Sequence, residues 1–497
     1  MILADHLSAL VVVVPLLMAV IVALLPSARL AWLLSLASVG ASFAAALANA
    51  DQNMGAVSSY HLGGWPPPWG IEFVADSASL LVAAVVTGLS FASTLYAKSL
   101  IENDIEEESI PRFYAAWLLT IGGLLGLVMT GDAFNLFVFL EISSLAAVTL
   151  VAMGGGQDRR ALIAAYNYLV IGAIGATFYV IGVGFCYAVT GTLNMADLAI
   201  RLAQVEAEAA VFVAFAFMIG GILVKAAVFP VHIWLPAAYG YAPSAVSTLL
   251  AAIATKASIY VLARVLFTVF AGYEETSDLV LTWVIMPLSI MAIFAGTILA
   301  IREDNLKILL AQSSIAQIGY ITLGFSLANS AGVAAGFIHI TNHALIKGGL
   351  FMAVGALGLV LGGRVTMASV RGMGRAMPIT ASAMMVCGLS LIGLPLTAGF
   401  ISKVYLVMAL VSSSLWLVTG LVLISSALSV IYLWRIVEAM WMQPRPQAGK
   451  VAENPMVYGP LWLVALANIY FGLDAGMVVN ASNAAAVSLG MTVGAGG

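Results

Sequence analysis

Long apolar runs separated by short polar connectors repeat along the chain, beginning with Leu7 to Leu25 and still present at Leu461 to Phe471. A helix needs roughly 20 predominantly apolar residues to cross the hydrocarbon layer. The pattern therefore predicts about fourteen membrane-spanning helices. They fall near residues 7–25, 30–50, 73–98, 112–130, 133–153, 161–190, 209–229, 243–270, 279–300, 306–328, 331–361, 378–410, 413–440 and 456–480. The connectors carry Gly, Pro, Asp and Asn, as in "GGWPPPWG" at 63–70, "MGGGQDRR" at 153–160 and "MQPRPQAGK" at 442–450, and such residues mark turns. None is long enough to form a separate domain.

Composition agrees with this reading. Of 497 residues, 62% are hydrophobic and 8% charged, and the mean hydropathy is +1.07, which places the chain among all-α integral membrane proteins. The first apolar run has neither a basic start nor a small-residue cleavage site, so it is expected to remain as the first helix. Cys186 and Cys387 both lie inside apolar segments; two isolated thiols make no metal-ligand pattern or disulfide framework, and packing roles are expected. No nucleotide, haem or zinc motif is present, so no cofactor or metal is expected, nor catalysis by this chain alone, nor a nucleic-acid partner.

Basic residues test the span count, because Lys and Arg concentrate in cytoplasmic loops. With both termini outside, the odd-numbered loops carry Arg29, Lys98, Arg112, Arg159, Arg160, Arg302, Lys307, Arg364, Arg371, Arg375, Arg435, Arg445 and Lys450, thirteen of the nineteen basic residues. Only Arg201 and Arg264 fall on the outer side. The remaining four are lysines within spans.

A faint internal duplication is also legible. "LEISSLA" at 140–146 resembles "LAQSSIA" at 310–316, and "YNYLVIG" at 166–172 resembles "TNHALIK" at 341–347. The offsets, 170 and 175 residues, are similar. They predict two related five-helix units, spans four to eight and nine to thirteen, the second inserted upside down because each unit has an odd number of spans. Inverted repeats are a transporter signature, with ion sites near the midplane. The organisation expected is an N-terminal three-helix segment at 1–110, a first repeat at 111–270, a second at 271–440 and a final helix with its tail at 441–497.

Placing an ion at a helix centre costs about 2.5–3.5 kcal/mol or more, so the five ionisable groups deep in the spans require explanation. Glu141, in "NLFVFLEISSLAAV", is about eight residues into the fifth span. Lys225 precedes Pro230 in "GGILVKAAVFPVHIWLP", and a proline inside a helix removes a hydrogen bond and displaces the carbonyl four residues back. The expected break supplies freed carbonyls and water to the ammonium, and irregular backbone at this depth survives only where protein or water covers it. "LIGLPLTAGFISKVY" repeats the device: Pro395 and Gly399 interrupt the twelfth span, and Lys403 follows. A kink used only for packing would not need a lysine beside it each time.

Lys256 lies midway along the eighth span. In "HITNHALIKGGLF", His339, His343 and Lys347 recur at i, i+4 and i+8, one helical face, and histidine is the side chain that most readily exchanges a proton near neutrality. The column reads as a proton relay, with His232 in the seventh-span break as an exit route. Asp76 and Asp132 sit at span starts, where carboxylates act as caps.

These residues lie in segments that resemble the antiporter-like subunits shared by complex I and the Mrp-type multisubunit sodium/proton antiporters. The resemblance covers nearly the whole chain and rests on "GDAFNLFVFLEISS", "VKAAVFPVHIWLPAAYGYAPSAVSTLLAAIATKASIY", "LKILLAQSSIAQIGYI", "HALIKGG" and "GLPLTAGFISK". It implies a fourteen-helix fold with two inverted five-helix repeats, discontinuous seventh and twelfth helices and a central hydrophilic axis. The family's fifth-helix glutamate corresponds to Glu141, its seventh- and eighth-helix lysines to Lys225 and Lys256, and its twelfth-helix carrier to Lys403. Among its members the chain resembles the D-type member of the Mrp antiporters, with the N-type member of complex I and hydrogenase-linked subunits as rivals. Lys403 tells against the M-type member, which usually has glutamate there, and the L-type and Mrp A-type members are longer.

The resemblance implies a bacterial inner-membrane subunit that moves protons, coupled to sodium in an Mrp complex, beside small hydrophobic partners. Protons would reach Lys225 and Lys256, cross by His339, His343 and Lys347, and leave from Lys403, with Glu141 setting the charge of Lys225. A stand-alone transporter of an organic solute and a structural subunit whose buried ions only fix helix register are the alternatives.

Overall fold

The computed structural model describes residues 4–445 and 451–491. Lys450, counted above among the inner basic residues, and the end of the predicted tail lie outside the described residues.

Among the described residues, twelve helices are long and apolar enough to cross a membrane. The apolar helix Leu7–Ala23 precedes them, and two more, Pro378–Ile392 and Ala398–Ser412, are halves of one interrupted span. The result is fourteen spans. The second and third are Ala28–Asn53 and Ser77–Asp104, the fourth to sixth are Ile110–Met129, Ala133–Ala152 and Arg160–Thr190, and the seventh is split into Glu208–Lys225 and Leu235–Tyr241. The eighth to eleventh are Ser244–Val269, Thr276–Arg302, Leu306–Phe325 and Ser330–Leu361; the thirteenth is Trp416–Met442 and the fourteenth Pro455–Leu473. Helix starts carry the caps their sequence announces: Asp76 accepts from Ser79 N, Asp132 from Asn135 N, Asn305 from Ile308 N and Asn329 from Gly332 N. Each satisfies an amide that the first turn leaves without a partner.

The eleventh span is the axis of the molecule. It packs against the third, eighth, tenth and fourteenth spans and both halves of the twelfth, and its middle is buried except at the half-buried Leu345. The fifth, sixth and thirteenth spans lie at the periphery, with Leu145, Ile163 and Ile424 exposed on their outer faces. That distribution suits lipid, which accepts apolar side chains as readily as a core does.

Three features depart from the expected outline. The connector after the second span holds an antiparallel hairpin, Ser58–His61 paired with Glu72–Ala75, so the fold is not entirely helical. The fourteenth span ends at Leu473, and a further helix, Gly476–Ser488, packs on the third and eleventh spans. Its Ser488 hydroxyl accepts from Ala78 N at 3.2 Å. Arg264, counted by the sequence among the basic residues of the outer side, is buried within the eighth span and pairs with Asp76.

Candidate functional site

The seventh span breaks earlier than its proline suggests. Its first half stops at Lys225, the chain runs irregularly through 226–234 with Ala227 at φ +53°, and Pro230 lies in the middle of that segment. The carbonyls at the end of the half-helix find partners inside the protein: Leu223 O accepts from Val228 N at 3.0 Å, and Val224 O from the Trp234 indole at 3.0 Å. Trp234 is held by stacking on Tyr168, with centroids 4.4 Å apart and planes within 3°. The freed carbonyls therefore do not hold the Lys225 ammonium. It donates to Ser144 Oγ at 2.9 Å and stands 3.5 Å from Glu141 Oε1. Lys225 is buried, whereas the Glu141 side chain is 29% exposed on the outer face of the fifth span.

The twelfth span solves the same problem in the opposite way. Its first half ends at Ile392 in a left-handed glycine, Gly393 at φ +88°, with Leu394 N bonded to Leu389 O and Gly393 N to Ser390 O. This is the Schellman pattern, which leaves the last carbonyls of a helix without amide partners. Lys403, on the second half, fills that gap. Its ammonium donates to Leu391 O at 3.2 Å and Ile392 O at 2.7 Å. Gly399 is not in the break but just inside the second half. It permits close approach, since a Cβ there would lie 1.8 Å from Ser390 O.

The remaining ionisable groups are carried by the eighth and eleventh spans, which pack together at the wide turn Leu250–Ala254. Wide turns of this kind are frequent at functional sites. Lys256 donates to the Ala251 carbonyl within it. On the eleventh span, Lys347 donates to Ser313 Oγ at 2.5 Å and Leu310 O at 2.8 Å. His339 meets Ser402 Oγ at 2.8 Å through Nδ1 and Gln317 Oε1 at 3.0 Å through Nε2. His343 is fully buried, neither of its ring nitrogens has a hydrogen-bond partner among the described residues, and its ring stacks on His339 at 5.9 Å. His232 lies apart from this line in the seventh-span break, buried and stacked on Phe229 at 5.2 Å.

Space accompanies these groups. A cavity of about 20 Å³ beside Lys225 is lined by Ser144, Thr120, Thr255 and Ser258, room for about one water, and Thr255 adjoins Lys256. A polar cavity of about 740 Å³ opens among the odd-numbered connectors, lined by Asp104, Gln157, Asp158, Lys307 and Arg364. Another, of about 790 Å³, opens at the opposite end beside Asp278, Asn329, Ser412 and Asn483. On the connector before the fifth span, burial pushes the Asp132 carboxyl up.

Sequence reasoning missed Ser144, Ser313, Gln317, Ser402 and Tyr320, whose ring lies 5.2 Å from the Lys403 ammonium. A signal existed for two of them: Ser144 and Ser313 belong to the duplicated Ser–Ser segments, and each partners a lysine.

The chain is similar to known proteins over most of its length. It is 41% identical over 461 residues to the N-type subunit of the NADH-quinone oxidoreductase of Desulforudis audaxviator, covering 91% of this chain and 90% of that one. It is 27% identical over 395 residues to the D-type subunit of the Na(+)/H(+) antiporter of Alkalihalophilus pseudofirmus, covering 79% and 78%. A chain of the Mrp complex from Dietzia sp. DQ12-45-1b superposes with a TM-score of 0.89 at 27% identity, covering 98% of both chains. The family model for NADH:quinone oxidoreductase/Mrp antiporter transmembrane subunits matches residues 130–429, which hold every ionisable group described within the spans. The chain is a member of that antiporter-like membrane-subunit family.

Proposed function

We propose that this chain translocates protons as the antiporter-like subunit of a multisubunit membrane complex. The observation that carries the reading is the pairing of Glu141 with Lys225 at 3.5 Å, at a helix break. A carboxylate near an ammonium favours its charged form, so displacing Glu141 from Lys225 promotes release of the proton. Lys256, the His339, His343 and Lys347 column and Lys403 continue the line across both repeats, and the two polar cavities at opposite ends serve as its mouths. His232 serves a side exit.

The repeats lie at 111–270 and 271–440, flanked by 1–110 and 441–497. Both termini face outward in a bacterial inner membrane. Glu141 also supports partner subunits. A partly exposed carboxylate on a lipid-facing surface is costly, and a neighbouring subunit covering it removes that cost.

Two driving reactions fit this line. The higher identity to the N-type oxidoreductase subunit supports a redox-driven complex as the first reading. The similarity to the D-type antiporter subunit and to the Mrp complex supports sodium/proton exchange as the second. Glu141→Ala or Lys225→Ala should abolish proton transport in inverted vesicles with the complex intact; retained transport with either change would remove the proposal. Co-purification with flavin and iron–sulfur subunits supports the first driver, and sodium-dependent transport with small hydrophobic partners alone supports the second.

A further inference from the structure

The second half of the twelfth span starts without a cap of its own. Thr397 stands at its N-cap position, but its hydroxyl donates back to Leu394 O at 2.6 Å and, among the described residues, accepts from none of the first amides. A helix start leaves its first amides without partners. One of them, Gly399 N, donates instead to Ser390 Oγ at 3.0 Å, on the last turn of the first half.

A serine or threonine within a helix commonly turns its hydroxyl back to the carbonyl four residues earlier, as Ser143 does to Phe139 O and Thr322 to Ile318 O. Ser390 does not. Its hydroxyl donates to Asn468 Oδ1 at 3.0 Å, on the fourteenth span. Asn468 is fixed in that orientation because its Nδ2 donates to Val464 O at 3.0 Å, and a carbonyl can only accept. With its proton committed to Asn468, Ser390 keeps a lone pair for Gly399. Both side chains are fully buried. One turn further along the fourteenth span, Gly472 seats the irregular link between the two halves. A Cβ there would lie 2.4 Å from Thr397 Cα and 2.5 Å from the Leu396 carbonyl, and Leu396 is held at φ +70°, a conformation uncommon for a residue with a side chain.

Gly399 and Lys403 stand one turn apart on the second half. The two halves are therefore bridged twice in succession, by Gly399 N to Ser390 Oγ and by the Lys403 ammonium to Leu391 O and Ile392 O. We propose that Asn468 is a positioning residue for Lys403: through Ser390, the fourteenth span sets the spacing of the two half-helices and with it the seat of the Lys403 ammonium. The span Pro455–Leu473 has no Asp, Glu, Lys, Arg or His, so it takes part in transport through this bond and not by carrying a proton. The role rests on the proton-translocating reading given above.

The test uses the intact complex in inverted vesicles. Asn468→Leu keeps the branched shape, removes the bond and should slow transport by about fivefold. Asn468→Asp, which as the neutral acid still accepts from Ser390 and donates to Val464 O, should stay near the parent rate. Ser390→Ala reads the same bond with a smaller change, should Asn468→Leu fail to assemble, and should slow transport at least as much. Adding Asn468→Leu to Ser390→Ala should cost nothing further, because two residues that act through one bond are not additive. The parent rate in Asn468→Leu or Ser390→Ala, equal losses for Asn468→Leu and Asn468→Asp, or losses that multiply in the double variant would each overturn the positioning role. Lys225→Ala serves as the reference: its inactivity beside any of those results sinks only the positioning role, whereas its full activity sinks proton translocation by this chain.

Discussion

Asp76 and Arg264 form a buried ion pair, Oδ2 to Nη1 at 2.7 Å, that ties the start of the third span to the eighth. A second contact, Nη2 to Oδ1 at 2.8 Å, and hydrogen bonds from Arg264 to the Tyr260 hydroxyl complete the set. Tyr260 and Arg264 stand one and two turns beyond Lys256 on the same helix, so this pair fixes the height of the lysine in the molecule.

The pair sets an acid limit on stability. Burial by itself would raise the Asp76 carboxyl, but the Arg264 guanidinium outweighs it and holds the carboxyl below its ordinary value. Its stabilisation is therefore complete above the unfolded carboxylate value of about 3.9 and is lost as pH falls through the lower native value. Asp76→Asn should remove this acid dependence and cost about 3–5 kcal/mol by leaving Arg264 buried without its partner. Thermal unfolding of the purified complex between neutral and acidic pH measures both; an unaltered melting curve would show that the pair is not structural.

Ser144 is predicted to matter nearly as much as Glu141. Its hydroxyl accepts the shorter of the two Lys225 contacts, and a hydrogen bond to a charged group contributes about 1.5–3 kcal/mol. Ser144→Ala should slow proton transport by about tenfold or more, while Ser144→Thr, which keeps the acceptor, should retain most of it. Equal rates for the alanine variant and the parent would contradict this role.

Gly399→Ala should disrupt the twelfth span even though alanine is the better helix former. The added methyl would overlap Ser390 O, forcing the two half-helices apart, and overpacking of this kind costs about 1–3 kcal/mol. The expected result is reduced assembly and a lowered melting temperature, measurable in detergent. Normal assembly would mean that the break tolerates a wider spacing than its geometry suggests.

Lys403→Met should lose transport and also destabilise the protein. The change leaves the Leu391 and Ile392 carbonyls without the ammonium that bonds them, at about 1–3 kcal/mol for an unsatisfied buried group. Lys225→Met should lose transport with a smaller fall in melting temperature, because among the described residues its ammonium bonds side chains and no main-chain carbonyl. Equal falls for the two variants would erase the distinction between the breaks.

Much of this architecture was readable because the bilayer makes hydrophobic length a nearly sufficient signal. The apolar runs gave the spans, and the in-span charges gave Glu141 and the four lysines, since each is expensive wherever it stands. Proline marked the two interruptions but not their geometry: the seventh span stops at Lys225, five residues before Pro230, because the turn at Ala227 begins the break. Ser402 and Tyr320 were illegible for a different reason. A hydroxyl costs little in a helix, so its presence carries no alarm until the partner helix is placed against it. The hairpin at Ser58–His61 and the helix Gly476–Ser488 were hidden likewise, the first in a connector read as turns and the second in a segment read partly as the end of the last span.

The bonds from Lys403 to Leu391 and Ile392 make that side chain a clasp between two rods as well as an acid. Hydrogen bonds from a charged ammonium are stronger than those from a neutral amine, so giving up a proton loosens the joint. By reciprocity, bending the joint must change how firmly the proton is kept. A pull on either rod, from a neighbour in the assembly, is thereby convertible into a change of charge.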